Sequence, residues 1–534
     1  MRKWFKKSLG IILAGTMAFT ILTGCGGSSD SGSTTAAKSE TKEATNGGET
    51  VIGVTSFADT LEPTEQYFSW VVSRYGVGET LTKFNENGEI TPCLAESWEV
   101  SDDNLSWTFK IREGVKFSNG DDMTPELVKG SLERTFELSN RTDEFFKLDS
   151  ITIDGQNLTI KTKEPSAIVP GSLADPLFLI VDTSENVNPD DYAMKGPICT
   201  GPYAVESFSP TDSCVVVRNE YYWDGEVPFD KVTLKCIDDQ TTRSMALQTG
   251  EISLAYNLKT ENIADFEGKD DVEIQNLQSL RSTYAFMNQN GALKDLALRQ
   301  ALIRALDKET YCSNLLQGGA TAGKAPIPPT LDFGFDDLKD ENAYNPESAK
   351  KLLEEAGYKD TDGDGFVETP DGKKLELNFV IYTSREELGT YAQAAQANLK
   401  DVGINIKLNT VSYETLLDMR DSGDYDLLIW NVLVANTGDP ENYLRENWYS
   451  TSPNNTSGYN NAEVDKLLDE LAKEFDTDKR KELVIQIQQH IMDDAATVFF
   501  GYETTYLFSS KSLTGVKMYP MDYYWLTKDI AFAK

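Results

Sequence analysis

Side chains that could support catalysis are few in this chain. His490 is the only histidine among 534 residues. It lies close to Ile487 and Ile491 in a segment with helical periodicity, so we interpret it as an exposed or partly packed helix side chain. One histidine cannot form an HExxH zinc site, and no GxSxG turn is present. The sequence therefore supports neither of these hydrolase arrangements, and we predict no cofactor.

Two segments have sequences similar to known ligand-binding loops. Residues 318–324 fit the GxxxxGK pattern of a phosphate-binding loop, but Ala325 replaces the Ser or Thr that would hold magnesium. Residues 360–371 place Asp and Glu oxygens where a twelve-residue calcium loop has its ligands. A strand is expected from Leu375 in place of the loop's second helix. We therefore favour a polar loop of Asp-Gly turns, with a structural calcium ion as the alternative.

The N-terminal segment has the pattern of a signal peptide. Basic residues at 2–7 are followed by an apolar stretch at 9–22, which is too short for a comfortable membrane span. The following Leu22-Thr23-Gly24-Cys25 resembles the bacterial lipobox. That resemblance implies cleavage before Cys25 and diacylation of this cysteine, and two acyl chains suffice for stable anchoring. We expect an exported protein anchored to the outer face of the cell membrane.

The remaining cysteines define no metal site. They are odd in number and show no CxxC spacing, which argues against zinc and against a full disulfide framework. A bridge from Cys199 to Cys214, or from Cys214 to Cys236, stays open. These five cysteines are Cys93, Cys199, Cys214, Cys236 and Cys312.

Composition and charge narrow the class of partner. Residues 26–48 contain no large apolar side chain and are expected to form a flexible tether. Lys and Arg total 50 against 86 Asp and Glu, which gives a net charge of -36. Such a surface repels phosphate backbones, so nucleic acid is not expected as a partner. The 40% hydrophobic content is enough for two or three cored domains.

Strand and helix patterns alternate in the C-terminal half. Apolar residues recur at every second position over 375–381 and 404–408, while 390–400 has a helical pattern. A short helix at 413–419 and a buried strand at 425–430 follow. This order predicts parallel βαβ units in an α/β domain. A further helix is expected after Asn345 as N-cap and Pro346 at its first position, ending before Gly357.

Several dispersed motifs resemble those of the family 5 extracellular solute-binding proteins, which include receptors of oligopeptide, dipeptide and nickel importers. The first motif runs over 94–102 and 107–120, where Phe109 and Ile111 alternate as an inward strand face. Further matches follow in the family's order over nearly all of residues 50–534. They are Thr200-Gly201-Pro202-Tyr203, Arg218-Asn219 with Tyr222-Trp223, Arg299-Gln300-Ala301-Leu302, Ala305-Leu306-Asp307, Pro326-Ile327-Pro328-Pro329 and Ala356-Gly357-Tyr358.

The resemblance implies an α/β, bilobal periplasmic-binding-protein-like (type II) fold with an additional inserted domain. The two lobes would be joined by crossing segments and would close on a solute by hinge motion. The implied organisation is a signal peptide at 1–24, lipidated Cys25 and tether at 25–48, lobe I at 49–83, 197–276 and 501–534, the inserted domain at 84–196, and lobe II at 277–500.

The resemblance also implies a function and a place for the ligand. The chain would capture peptides, act with the permease subunits of an ABC importer, remain a monomer and catalyse no reaction. The solute should lie where the lobes meet. The candidate ligand-binding residues are Tyr284, Asn288, Tyr382, Trp430, Asn431, Asn436 and Asp439.

One departure from the family affects ligand identity. In the peptide receptors an aspartate that binds the peptide's ammonium group corresponds to Asn436, which carries no charge. Asp439 could substitute, or the ligand could be a nickel chelate or another metallophore. A bare nickel ion held by protein imidazoles is not expected with a single histidine. An exported hydrolase and a solute sensor are the alternatives from other functional classes.

Overall fold

The computed structural model describes residues 44–55, 58–382 and 385–534. The predicted signal peptide, Cys25 and most of the predicted tether therefore lie outside the described residues. Residues 42–534 belong to one compact unit. No helix in the described part of the chain is long and apolar enough to cross a membrane.

The strands and helices alternate along much of the chain. The strands are β1 Ala44–Thr45, β2 Glu49–Val54, β3 Thr82–Phe84, β4 Ile90–Pro92, β5 Ala95–Val100, β6 Ser106–Ile111, β7 Leu148–Asp154, β8 Asn157–Thr162, β9 Tyr203–Ser209, β10 Ser213–Arg218, β11 Lys231–Cys236, β12 Leu254–Leu258, β13 Val272–Met287, β14 Ala320–Ala322, β15 Glu376–Tyr382, β16 Asn405–Val411, β17 Leu427–Leu433, β18 Thr497–Ser510, β19 Leu513–Thr514 and β20 Ala531–Ala533. The α-helices are α1 Phe68–Arg74, α2 Pro125–Leu138, α3 Val169–Ser172, α4 Tyr192–Lys195, α5 Gln240–Thr249, α6 Leu296–Arg304, α7 Lys308–Thr310, α8 Pro346–Glu355, α9 Glu386–Asp401, α10 Tyr413–Ser422, α11 Glu441–Trp448, α12 Ala462–Leu471 and α13 Thr477–Asp493.

The predicted βαβ units are confirmed in the C-terminal half. Strand β15 pairs in parallel with both β16 and β17, and α9 and α10 make the connections. The N-terminal punctuation of α8 is also as expected, because the Asn345 side chain accepts a hydrogen bond from the Ser348 amide at 2.9 Å. Gly357 follows with φ +92°, a conformation that glycine adopts without strain. Helix α9 begins at Glu386, a turn before the predicted start.

Two long antiparallel strands cross the centre of the largest sheet. This sheet has the order β16-β15-β17-β13-β18-β12-β2-β11-β10-β9, and β14 adds to β18. Strands β13 and β18 pair over most of their length, from Val272 opposite Ser510 to Phe286 opposite Thr497. They therefore connect the half of the sheet that contains β2 and β9–β12 with the half that contains β15–β17.

The three largest apolar cores of the described residues are arranged around these sheets. The C-terminal core lies against β15–β17, α9 and α11–α13. The N-terminal core lies against β2 and β9–β12. The small-sheet core lies between α2 and the four-stranded sheet β5-β6-β8-β7. Phe109 and Ile111 are 0% exposed in this third core, which confirms the inward strand face predicted for them.

Candidate functional site

The C-terminal core and the small-sheet core meet along a short edge. A Cβ added at Gly171 in α3 would lie 1.9 Å from the carbonyl oxygen of Thr437, in the loop between β17 and α11. The Asn442 side chain in α11 donates a hydrogen bond to the carbonyl oxygen of Glu144. The rings of Trp107 and Phe475 stack with centroids 6.2 Å apart. These contacts close one side of a cleft whose floor is formed by β13 and β18.

Aromatic side chains form the walls of this cleft. Tyr67 and Tyr413 each remain 45% exposed, yet burial raises the pKa of both hydroxyls. Tyr67 and Tyr413 are thus accessible to solvent and yet surrounded by protein, as expected for side chains that line a concave surface. The Tyr413 ring lies 5.3 Å from Tyr382 and 6.1 Å from Trp430, measured between centroids. On the opposite wall, the Arg141 guanidinium lies 3.8 Å from the centre of the Tyr67 ring.

A polar cluster lies at the floor of the cleft. The Asn431 amide donates to Thr283 Oγ1 at 2.6 Å and also to the Glu503 carboxylate. The guanidinium of Arg385 lies 3.6 Å from Glu503. Since β13, β17 and β18 contribute Thr283, Asn431 and Glu503, the crossing strands themselves position this cluster.

A second polar group lies on α11. Asn442 and Glu446 are one helical turn apart, so they share a face of the helix, and Asn442 contacts the backbone of Glu144. Burial raises the pKa of Glu446 to about 7, the nearby Glu144 adds to this shift, and Arg420 opposes it. The Arg420 guanidinium lies 5.2 Å from the centre of the Trp430 ring. A solute in the cleft would therefore meet both carboxylates and guanidinium groups.

Three of the residues expected at the ligand lie in this cleft. Tyr382 contacts Tyr413, Trp430 contacts Tyr413, and Asn431 belongs to the polar cluster. Two others lie within the C-terminal core. Tyr284 is 0% exposed, and Asn288 donates to the carbonyl oxygens of Gly423 and Tyr425 at 3.1 and 2.9 Å. In this conformation Tyr284 offers no surface to a solute, and Asn288 holds the chain around β17.

The loop that follows β17 is fixed by an ion pair. Asp439 accepts two hydrogen bonds from Arg480, at 2.9 and 2.8 Å, and one from the Glu441 amide. Its carboxylate is therefore already paired in this conformation, and its expected role at the ligand stays a prediction. Asn436 is half-buried, and its carbonyl oxygen accepts from the Tyr523 hydroxyl at 3.3 Å.

Residues that the sequence argument missed complete the cleft. These are Tyr67, Arg281, Arg385, Tyr413, Arg420, Glu446 and Glu503. A weak signal exists for Arg281, which is a charged residue among uncharged ones in the run Leu280-Arg281-Ser282-Thr283-Tyr284. The others are ordinary surface residue types whose spacing along the chain carries no indication of a site.

The two loop-like motifs lie outside the cleft. Residues 318–324 contain the short strand β14, and the Lys324 ammonium donates to the carbonyl oxygen of Leu338 at 3.3 Å. A phosphate-binding loop would instead open a helix. In the second motif, Lys374 lies 3.0 Å from Asp362 and 2.8 Å from Asp364. Lys374 offsets part of the negative charge of this turn. The carboxylate oxygens of Asp360, Asp362 and Asp364 nevertheless lie within 4.8 Å of one another, so the polar loop and the structural calcium site both stay predictions.

The sulfur and imidazole groups are also remote from any reactive arrangement. His490 is half-buried in α13. In the described residues the five cysteines after Cys25 are free thiols, so neither of the disulfides left open by the sequence forms. Burial raises the pKa of the Cys199 and Cys312 thiols, which keeps them protonated and unreactive.

Fold and cleft together define a two-lobed α/β receptor with a cleft across its crossing strands. Residues 89–455 match the family model described as bacterial extracellular solute-binding proteins, family 5 Middle, and the chain belongs to this family. Members are transport receptors rather than enzymes, so the chain is the solute-binding component of an ABC importer.

Named relatives agree with this assignment. The chain is 27% identical over 491 residues to the probable D,D-dipeptide-binding periplasmic protein DdpA of Escherichia coli, covering 88% of this chain and 92% of DdpA. It resembles the crystal structure of a nickel ABC transporter protein from Bacillus halodurans, with TM-score 0.76, 30% identity and coverage of 91% and 99%. It also resembles the oligopeptide-binding protein AppA of Bacillus subtilis in complex with a nonapeptide, with TM-score 0.74, 26% identity and coverage of 92% and 100%. The predicted family and the bilobal fold class are confirmed.

Proposed function

We propose that this receptor captures peptides outside the cell and delivers them to the permease subunits of its importer. The observation that carries the proposal is the cleft itself, whose aromatic walls and polar floor come from different parts of the chain. Tyr413 and Trp430 supply apolar surface, with the buried Tyr382 packed against Tyr413, and Asn431 supplies an amide next to a carboxylate and two guanidinium groups. Such a lining suits a solute with both apolar side chains and charged ends.

Lobe closure is the second part of the proposal. We assign the N-terminal core to lobe I (49–83, 197–276 and 501–534), the small-sheet core to the inserted domain (84–196) and the C-terminal core to lobe II (277–500). The strands β13 and β18 then act as the hinge, and the contacts of Thr437 and Asn442 belong to the closed state. A solute enters when these contacts separate and is enclosed when they form.

A location at the outer face of the membrane is the third part of the proposal, and the N-terminal sequence pattern supports it. Signal cleavage before Cys25 and acylation of this cysteine would anchor a monomer to the outer face of the membrane through the tether 26–48. An anchored receptor stays close to the permease, which raises the effective concentration of captured solute there.

A nickel chelate is the second candidate ligand. Asn436 lacks the charge that would bind a peptide ammonium group, and Asp439 is engaged with Arg480. In addition, the Bacillus halodurans structure that resembles this chain is described as a nickel ABC transporter. Arginine and aromatic side chains could hold the carboxylates and rings of an organic chelator.

Calorimetric titration separates the two candidates. The purified protein is titrated with pools of short peptides, with free nickel and with nickel bound to histidine. We expect saturable one-site binding of peptides and no binding of free nickel. Binding of the chelate alone would assign the receptor to metallophores, and binding of neither class would contradict the proposed function.

A further inference from the structure

A β-bulge directs Arg281 into the cleft. The pairing of β13 with β18 shifts register between Gln278 and Ser282, so Arg281 has no partner in β18. On its other edge, Arg281 still pairs with Leu433 of β17. Bulges bend a strand and redirect side chains, and they are frequent beside functional sites. Alternation along the strand then places Arg281 and Thr283 on the same face, where the polar cluster lies.

The hydrogen bonds of Arg281 leave one edge of its guanidinium open. Its Nη1 group donates to the Asn431 side-chain oxygen at 3.1 Å. Among the described residues, no acceptor contacts Nε or Nη2. The Nε and Nη2 hydrogens form the planar edge that binds a carboxylate through two parallel hydrogen bonds. The side chain is therefore oriented by Asn431 while its carboxylate-binding edge stays unused.

The neighbouring charges do not neutralise Arg281. Glu503 is the carboxylate of this cluster, and it already accepts from Asn431 and Thr283 and lies 3.6 Å from Arg385. Burial lowers the pKa of Arg281, Arg385 lowers it further, and Glu503 and Asp522 oppose this only in part. A guanidinium surrounded by protein without a paired anion is unfavourable, and an incoming anion relieves that cost.

We propose that Arg281 binds a carboxylate group of the solute and makes an acidic group a requirement for tight binding. This inference rests on the proposed function as a solute receptor and names the chemical class of its ligand. The carboxylate pairs with Nε and Nη2 at the floor of the cleft. The remainder of the solute extends along Tyr413 and Trp430.

The test compares carboxylate probes with neutral ones on matched variants. Three probes are used. They are short peptides with a free C-terminal carboxylate, the same peptides with a C-terminal amide, and nickel bound to histidine, which also carries carboxylate groups. Titrations use the full chain in detergent as wild type, R281Q and R281K. The control is R218Q, because Arg218 lies at the end of the distant strand β10 and pairs there with Asp230.

We expect wild type to prefer the carboxylate peptides over the amides by about tenfold or more. R281Q should lose about tenfold to hundredfold in affinity for a carboxylate probe, R281K should recover part of it, and R218Q should bind as wild type does. The melting temperature of solute-free R281Q should equal or exceed that of wild type, because the uncompensated charge is gone. If Arg281 had a structural role, its substitution would instead lower the melting temperature.

The outcomes distinguish this inference from the proposed function. If carboxylate and amide peptides bind equally well to wild type and R281Q, the role of Arg281 is refuted while the peptide receptor stands. If the nickel–histidine chelate alone binds and R281Q loses it, the peptide ligand is refuted while the role of Arg281 stands. Binding of no probe by wild type would count against both.

Discussion

Substituting Gly171 by Ala tests whether the contact with Thr437 belongs to the closed state. The added Cβ would lie 1.9 Å from the Thr437 carbonyl oxygen, whereas ordinary contacts begin at 3.4 Å. The two segments must therefore separate by about 1.5 Å at this point, and even a ~0.5–1 Å gap forfeits a quarter to a half of each dispersion contact. The hydrogen bond from Asn442 to Glu144 lies on the same edge and should be lost as well.

The expected result is a receptor that folds but closes incompletely. Gly171 lies in α3 with a negative φ, so alanine is compatible with its backbone and should not destabilise the local fold. Solute affinity should fall about tenfold or more, which corresponds to about 1.4 kcal/mol of lost closing energy. Small-angle X-ray scattering should show a smaller decrease in radius of gyration on adding peptide than wild type shows.

A matched variant isolates the effect of the contact. A Cβ at Gly389 in α9 meets nothing within 4 Å, so Gly389→Ala changes helix propensity alone. It should bind peptide and contract as wild type does. If Gly171→Ala binds within twofold of wild type and contracts equally, the Gly171–Thr437 contact does not form on closure and the reasoning is refuted.

Three further variants probe the ion pair, the raised pKa and the anchor. Arg480→Met should lower the free energy of unfolding by about 3–5 kcal/mol in urea titrations, because it leaves Asp439 and Glu441 buried without their partner; a loss below about 1 kcal/mol would contradict this. The pKa of Glu446 is about 7 in the folded protein, whereas in the unfolded chain this carboxyl has its ordinary pKa of 4.5. The protonated carboxyl therefore stabilises the fold below pH 4.5, and this contribution disappears as the pH rises through 7. Glu446→Gln should therefore flatten the pH dependence of unfolding over this range by about 3 kcal/mol, and an unchanged profile would argue against a buried carboxyl. Cys25→Ala should release the protein from the membrane in cell fractionation and leave peptide affinity unchanged, whereas retention would contradict lipid anchoring there.

Local patterns along the chain were sufficient to predict individual strands and helices of the C-terminal half, whereas the bilobal fold was predicted from the family resemblance. The alternation at 375–381 and 404–408 reports burial on one face of each strand, which tertiary contacts preserve, and β15 and β16 lie there. The N-cap at Asn345 acts within three residues and is likewise visible in sequence. Where the strands alternate regularly, sequence and structure therefore agree closely.

The cleft was only partly predictable, since its residues are distant in sequence. Tyr67 precedes α1, Tyr413 begins α10 and Glu446 lies in α11, so their proximity depends on how the lobes meet. Around Arg281 the obstacle is the bulge, because a shift in register changes which face of the sheet a side chain points to. Because side chains alternate along β13, Tyr284 points to the face opposite that of Arg281 and lies in the core. The residue types alone do not reveal which of the two faces is buried.

The most direct test of the account is to recover the solute after capture. The protein is saturated with a defined peptide, separated from free peptide and analysed by native mass spectrometry. The bound peptide is then released, and its mass is measured. We predict one peptide for each chain, with its mass unchanged after release. A peptide of altered mass, or a complex that fails to form with any peptide or chelate, would contradict a receptor that encloses its solute without transforming it.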